Sequence, residues 1–175
     1  MVGAMNEGAV AEQSGPELRE PAHLVSPRAR PYWRLTAAIG WVVLLVALVV
    51  PWRLWLDDRW WATAVVVGVA AYAVLHVIVM PVVRYRVHRW EVTPTAIFTR
   101  SGWVNREQRI APLSRVQTVD STQSGLMRLF DLASITVTTA SAAGPITISC
   151  LDRATAERVV AELTEITGRT EGDAT

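Results

Sequence analysis

No lysine occurs among the 175 residues: all 17 basic side chains are arginine, set against 16 acidic ones for a formal net charge of +1. A balance so close to neutral provides no broad field for gathering nucleic acid, so nucleic-acid partners are not expected. The single cysteine, Cys150, excludes an intrachain disulfide framework and any multi-cysteine metal site, which fits a reducing compartment. It lies in the alternation Ile146, Ile148, Cys150, where a small core residue is expected rather than a reactive thiol. Histidine is also scarce: His23, His76 and His88 are not spaced with one another or with an acidic partner. No nucleophile elbow, phosphate-cradling glycine loop or zinc spacing occurs, so no nucleophile, base and orienter are set to converge. The chain is therefore expected to be non-enzymatic, with no catalytic residue, metal ligand or cofactor.

What is plentiful is apolar surface, 51% of residues, and it is concentrated between Leu35 and Val83. The run from Leu35 to Trp52 carries no charge and would be about 27 Å long as a helix, close to the hydrocarbon thickness. The run from Trp60 to Val83 is also uncharged and long enough to cross with some tilt. Pro51 is placed to stop the first helix, and Trp52, Trp55, Trp60 and Trp61 cluster at the connection as interfacial anchors. Residues 26–83 are thus expected to form a transmembrane helical hairpin, with spans at about 35–52 and 60–83. Arg28, Arg30 and Arg34 precede the first span and Arg84, Arg86 and Arg89 follow the second, against Arg53 and Arg59 in the loop. The positive-inside rule then predicts a multi-pass protein of the cell membrane with both termini cytoplasmic.

Residues 1–25 read as a disordered acidic tail, with Glu7, Glu12, Glu17 and Glu20 and no apolar periodicity; they are unlike the basic start of a secretory signal peptide. Beyond Val83 the period changes to two. Tyr85 and Val87 open an extended stretch through His88, Trp90 and Val92, and a turn is expected at Pro94 and Thr95. Ile97 and Phe98 lead to a turn at Gly102, after which Trp103 to Ile110 resumes an extended run that Pro112 ends. Arg115 to Thr122 is a β-branched strand without clean alternation. Ser124 to Leu132 suits a short helix or apolar plug, and Ser134 to Thr139 with Ile146 to Ile148 makes a hairpin around Ala142–Pro145. Asp152 is placed to cap a final helix with the stripe Ala156, Val159, Val160, Leu163 and Ile166, closed by Gly168. Residues 169–175 are expected to be disordered.

Arg84-Tyr85-Arg86, Gly102, the run Arg109-Ile110-Ala111-Pro112-Leu113-Ser114-Arg115-Val116-Gln117 and the pair Arg128-Leu129 occur in this order, with Ser26-Pro27-Arg28 and Tyr32-Trp33-Arg34-Leu35 before the first span. In this pattern the chain resembles the bacterial pleckstrin-homology (PH) domain family, in its membrane-anchored YdbS-like form, over roughly Ser26 to Leu163. The resemblance implies a membrane-anchored α+β protein: a two-helix transmembrane hairpin, then a PH-like antiparallel β-barrel of six or seven strands over residues 84–168, capped by a C-terminal α-helix. Six strands are visible in the pattern, and the seventh is expected between Ser121 and Leu132. Asp131 stands where the family often has glycine; Asp tolerates a left-handed backbone, so the turn is expected to survive. The resemblance carries no catalytic residue set.

The leading expectation for function is a scaffold of the bacterial cell envelope that binds a protein partner or a second copy of itself at the cytoplasmic face. The alternative is an anionic-lipid sensor using Arg84, Arg86 and Arg89 with Arg106 or Arg109, although the same arginines would also serve topology. A third is a small transport subunit built around His76, the one titratable residue deep in a span. For His76 an interhelical hydrogen bond is favoured over interfacial water contact or a proton relay. Ala64 and Gly68 form a small-xxx-small pair expected to pack within the hairpin rather than between chains.

Overall fold

The computed structural model describes residues 20–55, 59–140 and 144–172. Helices α1 (Ala29–Trp55) and α2 (Trp60–Val87) run antiparallel, each about 40 Å long at 1.5 Å per residue. Both exceed the expected spans. Pro51 lies inside α1 rather than ending it, since in apolar surroundings a helix keeps more backbone groups paired than any irregular exit would. At the other end, α2 continues through Arg84, Tyr85 and Arg86, where an extended strand was expected. Pro81, Tyr85 and His88 recur at steps of four and three, and all are buried, so a helical face packs against the domain here instead of an alternating one. His88 turns the chain outward while its N–H still bonds the Arg84 carbonyl at 2.9 Å.

Strands β1 (His23–Leu24), β2 (Arg89–Val92), β3 (Ala96–Gly102) and β4 (Arg106–Pro112) form one antiparallel sheet in that order. Strands β5 (Val116–Thr122), β6 (Leu132–Thr139) and β7 (Ile146–Asp152) form a second. A short helix α3 (Gly125–Leu129), with the Ser124 side chain accepting from the Met127 N–H, joins β5 to β6, and α4 (Arg153–Gly172) follows β7. This is a PH-like fold, but the sheets do not close into the barrel that was expected. The first strand is only two residues long, too short to bridge to the second sheet. That strand is also the seventh one: it lies before α1, not between Ser121 and Leu132. The tail expected through residue 25 therefore ends earlier, because His23 and Leu24 pair with Trp90 and Arg89, and Pro21 and Val25 are buried. Residues 1–19 of that tail and Ala142–Ala143 of the last hairpin turn lie outside the described residues.

Chain entry into α1 is bolted to the domain. A bulge in β7 gives Cys150 a left-handed backbone (φ 58°), and its carbonyl accepts the Ser26 N–H at 3.0 Å. Ser26 Oγ donates to Asp152 Oδ1 at 2.7 Å, and Arg28 Nη1 to Asp131 Oδ2 at 2.8 Å. Asp131 is itself left-handed (φ 54°), as expected of the residue in the glycine position. Another bulge, between Val116 and Thr118, accounts for the broken alternation of β5. Helix α4 buries Ala156, Val159 and Leu163 on Leu132, Ile135, Val137 and Ile148, and the same cluster takes in Trp33, Met80 and Tyr85 from the helical hairpin. Gly168 lies within α4, which runs on to Gly172; glycine weakens a helix by about 1 kcal/mol without forbidding it.

Candidate functional site

The end of the helical hairpin that meets the domain holds most of its polar chemistry. Trp33 of α1 is buried against two residues at the end of α2: its ring lies 5.1 Å from the ring of His88, just past the helix, and the Arg84 guanidinium sits 4.5 Å over it. Such stacking suits the planar, weakly hydrated guanidinium. His88 Nδ1 donates to the Arg84 carbonyl at 2.8 Å, which leaves Nε2 to accept from Arg84 Nε at 3.5 Å. The imidazole is thereby held neutral. Burial first, and then the neighbouring Arg84 charge, lower its pKa from 6.5 to about 4.

Arg84 and His88 line a cavity of about 520 Å³ together with Thr99, Trp103, Arg109 and Thr147. The β3–β4 turn forms one wall because Gly102 adopts φ +133°; a Cβ there would fall 1.8 Å from the Asn105 carbonyl oxygen. Trp103 belongs to this turn, not to the strand expected to begin with it. From β4 of the same hairpin, Arg109 Nε donates to Glu107 at 2.6 Å and Nη1 to the Pro145 carbonyl at 3.0 Å. Among the described residues no carboxylate pairs with Arg84. The cavity thus joins one arginine held by an aromatic and a neutral imidazole to another partly neutralised by Glu107, with threonine hydroxyls between them.

The three arginines singled out from sequence do not converge. Arg86 projects from α2 into the open. Arg89 donates to the Pro21 carbonyl at 3.4 Å and lines a different cavity beside His23 and Trp90. Arg84 and Arg109, far apart in sequence, line the same cavity. Within the hairpin, Trp41 Nε1 donates to His76 Nδ1 at 3.1 Å, and the His76 ring also meets Tyr72 and, at 5.9 Å, Trp103. Ala64 and Gly68 face away from α1, with nothing within 4 Å of a Cβ at Gly68; the small residues buried between the helices are Ala62 and Ala73. The small-xxx-small pair is thus one register off the packed face. Trp55, Trp60 and Trp61 are exposed at the far tip, and Trp52 is half-buried.

Trp33 and Trp103 were not legible as site residues. Trp33 appears only within the family-like lead-in Tyr32-Trp33-Arg34, and Trp103 follows the turn glycine that places it. Among the described residues no three of His, Cys, Asp and Glu gather to hold a metal ion.

A family model described as bacterial PH domain matches residues 31–167. The UPF0699 transmembrane protein YdbS of Bacillus subtilis (strain 168) is 30% identical over 125 residues, covering 70% of this chain and 79% of that protein. No solved structure matches.

Proposed function

Because the chain belongs to the bacterial PH domain family, we propose that it is a non-enzymatic membrane module that seats an anionic lipid headgroup in the Arg84 cavity. The hairpin crosses the bilayer twice and both termini are cytoplasmic, a topology supported by three arginines on each outer flank against two in the loop. The observation that carries the reading is Arg84 itself: a guanidinium at the end of an apolar helix, oriented by Trp33 and His88, with no carboxylate paired to it among the described residues, and facing a cavity whose lining acid, Glu107, is bound to Arg109. At that height a phosphate oxygen is the natural counter-charge, and an arginine fork suits it better than a lysine would. Binding is tested by native mass spectrometry of the full chain released from membranes containing phosphatidylglycerol. Arg84→Gln should lose the retained anionic lipid while Arg86→Gln keeps it; equal retention by both variants sinks the reading.

The scaffold reading stands second and has its own support. Strand β4 ends its sheet with no further strand paired to it among the described residues, which leaves a ladder edge of the kind that accepts an added strand. Mild crosslinking in native membranes followed by purification should capture a partner or a second copy. Recovery of the monomer alone across several detergents would argue against it.

A further inference from the structure

We propose that the β3–β4 turn is a wedge seated in the lipid leaflet on the domain side, so that the domain is partly embedded in the bilayer and not only tethered to it. The argument is one of depth. Trp60 opens α2 at the far tip among the exposed tryptophans. From there a hydrocarbon core of about 30 Å takes about 20 residues of helix and ends near Met80. His76 lies about 6 Å short of that boundary on the lipid side by the same rise, and tilt of the helix places it deeper still. Yet the His76 ring is in edge-to-face contact with Trp103 of the turn, 5.9 Å between centroids. A side chain of the β domain therefore reaches below the level at which the second helix leaves the hydrocarbon.

The chemistry of the turn fits that depth. Trp103 joins Trp41, Tyr72 and His76 in one cluster of rings, the amphipathic kind that gathers where hydrocarbon meets headgroups. It mirrors the four-tryptophan cluster at the opposite tip. Next to it, Val104 is 80% exposed, an apolar side chain at the tip of a tight turn with no protein covering it. Arg106 follows at the start of β4 and can reach back to phosphates. The occupant of this surface is the phospholipid leaflet, and the inference stands whether or not the Arg84 cavity holds a headgroup.

Spin labels on single introduced cysteines in the full chain, reconstituted in phosphatidylcholine–phosphatidylglycerol vesicles, test it. Cys150 is buried with its thiol pKa pushed up to about 11, and the parent chain serves as the labelling blank. Val104→Cys should give a label several-fold less accessible to a water-soluble nickel chelate than Gln117→Cys on β5, and accessible to oxygen like Ile78→Cys in the span. A nickel accessibility at 104 equal to that at 117 overturns the proposal. A fluorophore at 104 supplies an independent readout: quenching by a lipid carrying a nitroxide near its headgroup supports the wedge, and absence of quenching overturns it.

Discussion

The two halves of the helical hairpin are alike in composition and opposite in environment. In the half near the domain, Ala29, Trp33, Met80, Pro81, Tyr85 and Val87 are buried, and Ala29, Trp33, Met80 and Tyr85 belong to the same cluster as the β sheets and α4. In the far half, Val42, Val43, Leu54, Trp55, Trp60 and Val65 are exposed, the surface a membrane-spanning helix presents to lipid. Apolar residues in the near half contribute through close packing, whereas those in the far half gain little from one another because the bilayer is equally apolar. The hairpin is thus a membrane anchor at one end and part of a protein core at the other, and the domain is packed directly against it.

The sharpest way to break this comparison is to truncate one tryptophan at each end. Trp33 is 2% exposed and holds both Arg84 and His88, whereas Trp60 is 82% exposed. Trp33→Ala should destabilise the chain by about 3–5 kcal/mol, read as a large fall in the thermal midpoint in mild detergent. Trp60→Ala should leave that midpoint nearly unchanged. Equal losses would mean that the far half is packed as tightly as the near one.

Gly102→Ala should come next, at about 1–3 kcal/mol for a left-handed position, increased by the clash with the Asn105 carbonyl. It would displace Trp103 from His76, and so test whether the turn is coupled to the hairpin. The measurement is the same melt together with the tryptophan emission of the variant.

His88 sharpens the comparison through pH. The unfolded chain takes up this proton near pH 6.5 and the folded chain only near 4. Stability is therefore complete above pH 6.5 and falls as pH drops from 6.5 toward 4, by an amount on the order of 2 kcal/mol. His88→Gln should flatten that part of the pH profile of the melt, while lowering stability at neutral pH through the lost ring contact with Trp33. An unchanged slope would locate the acid sensitivity elsewhere.

The near and far halves also differ in how far they could be read from sequence. The far half was legible because a bilayer imposes one rule on every residue: long, uncharged runs with tryptophan at the ends. In the near half that rule gives way to tertiary packing. Tyr85 and Val87 fit an alternating strand as well as a helical face, and only the position of Trp33 and the domain core decides between them. Strand β1 was invisible for a similar reason: two residues hold no periodicity, and their pairing depends on Trp90 and Arg89, more than sixty residues away. Asp131 was readable because the family resemblance puts glycine at its place, and aspartate is among the few residues that tolerate the positive φ found there. In sequence, Arg84 and Arg109 stood together among several candidate arginines, but which of them share a cavity was not readable, since it follows from how the β3–β4 hairpin packs on α2.

The smallest effect belongs to the bolt between the segment before α1 and β7. Ser26 Oγ donates to Asp152 and accepts the Arg28 N–H at 3.2 Å, so Ser26→Ala removes two bonds from a buried position without creating a large void. The expected loss is about 1.5 kcal/mol, the low end for a hydrogen bond to a charged group, because the Asp152 side chain is 40% exposed. A double-mutant cycle with Asp152→Ala isolates the pair: if the bolt exists, the second substitution should do less harm in the Ser26→Ala background than in the parent. Strict additivity would mean that the Ser26–Asp152 bond adds nothing, and that entry into α1 is held by the Cys150 carbonyl, the β1 ladder and the Arg28–Asp131 pair.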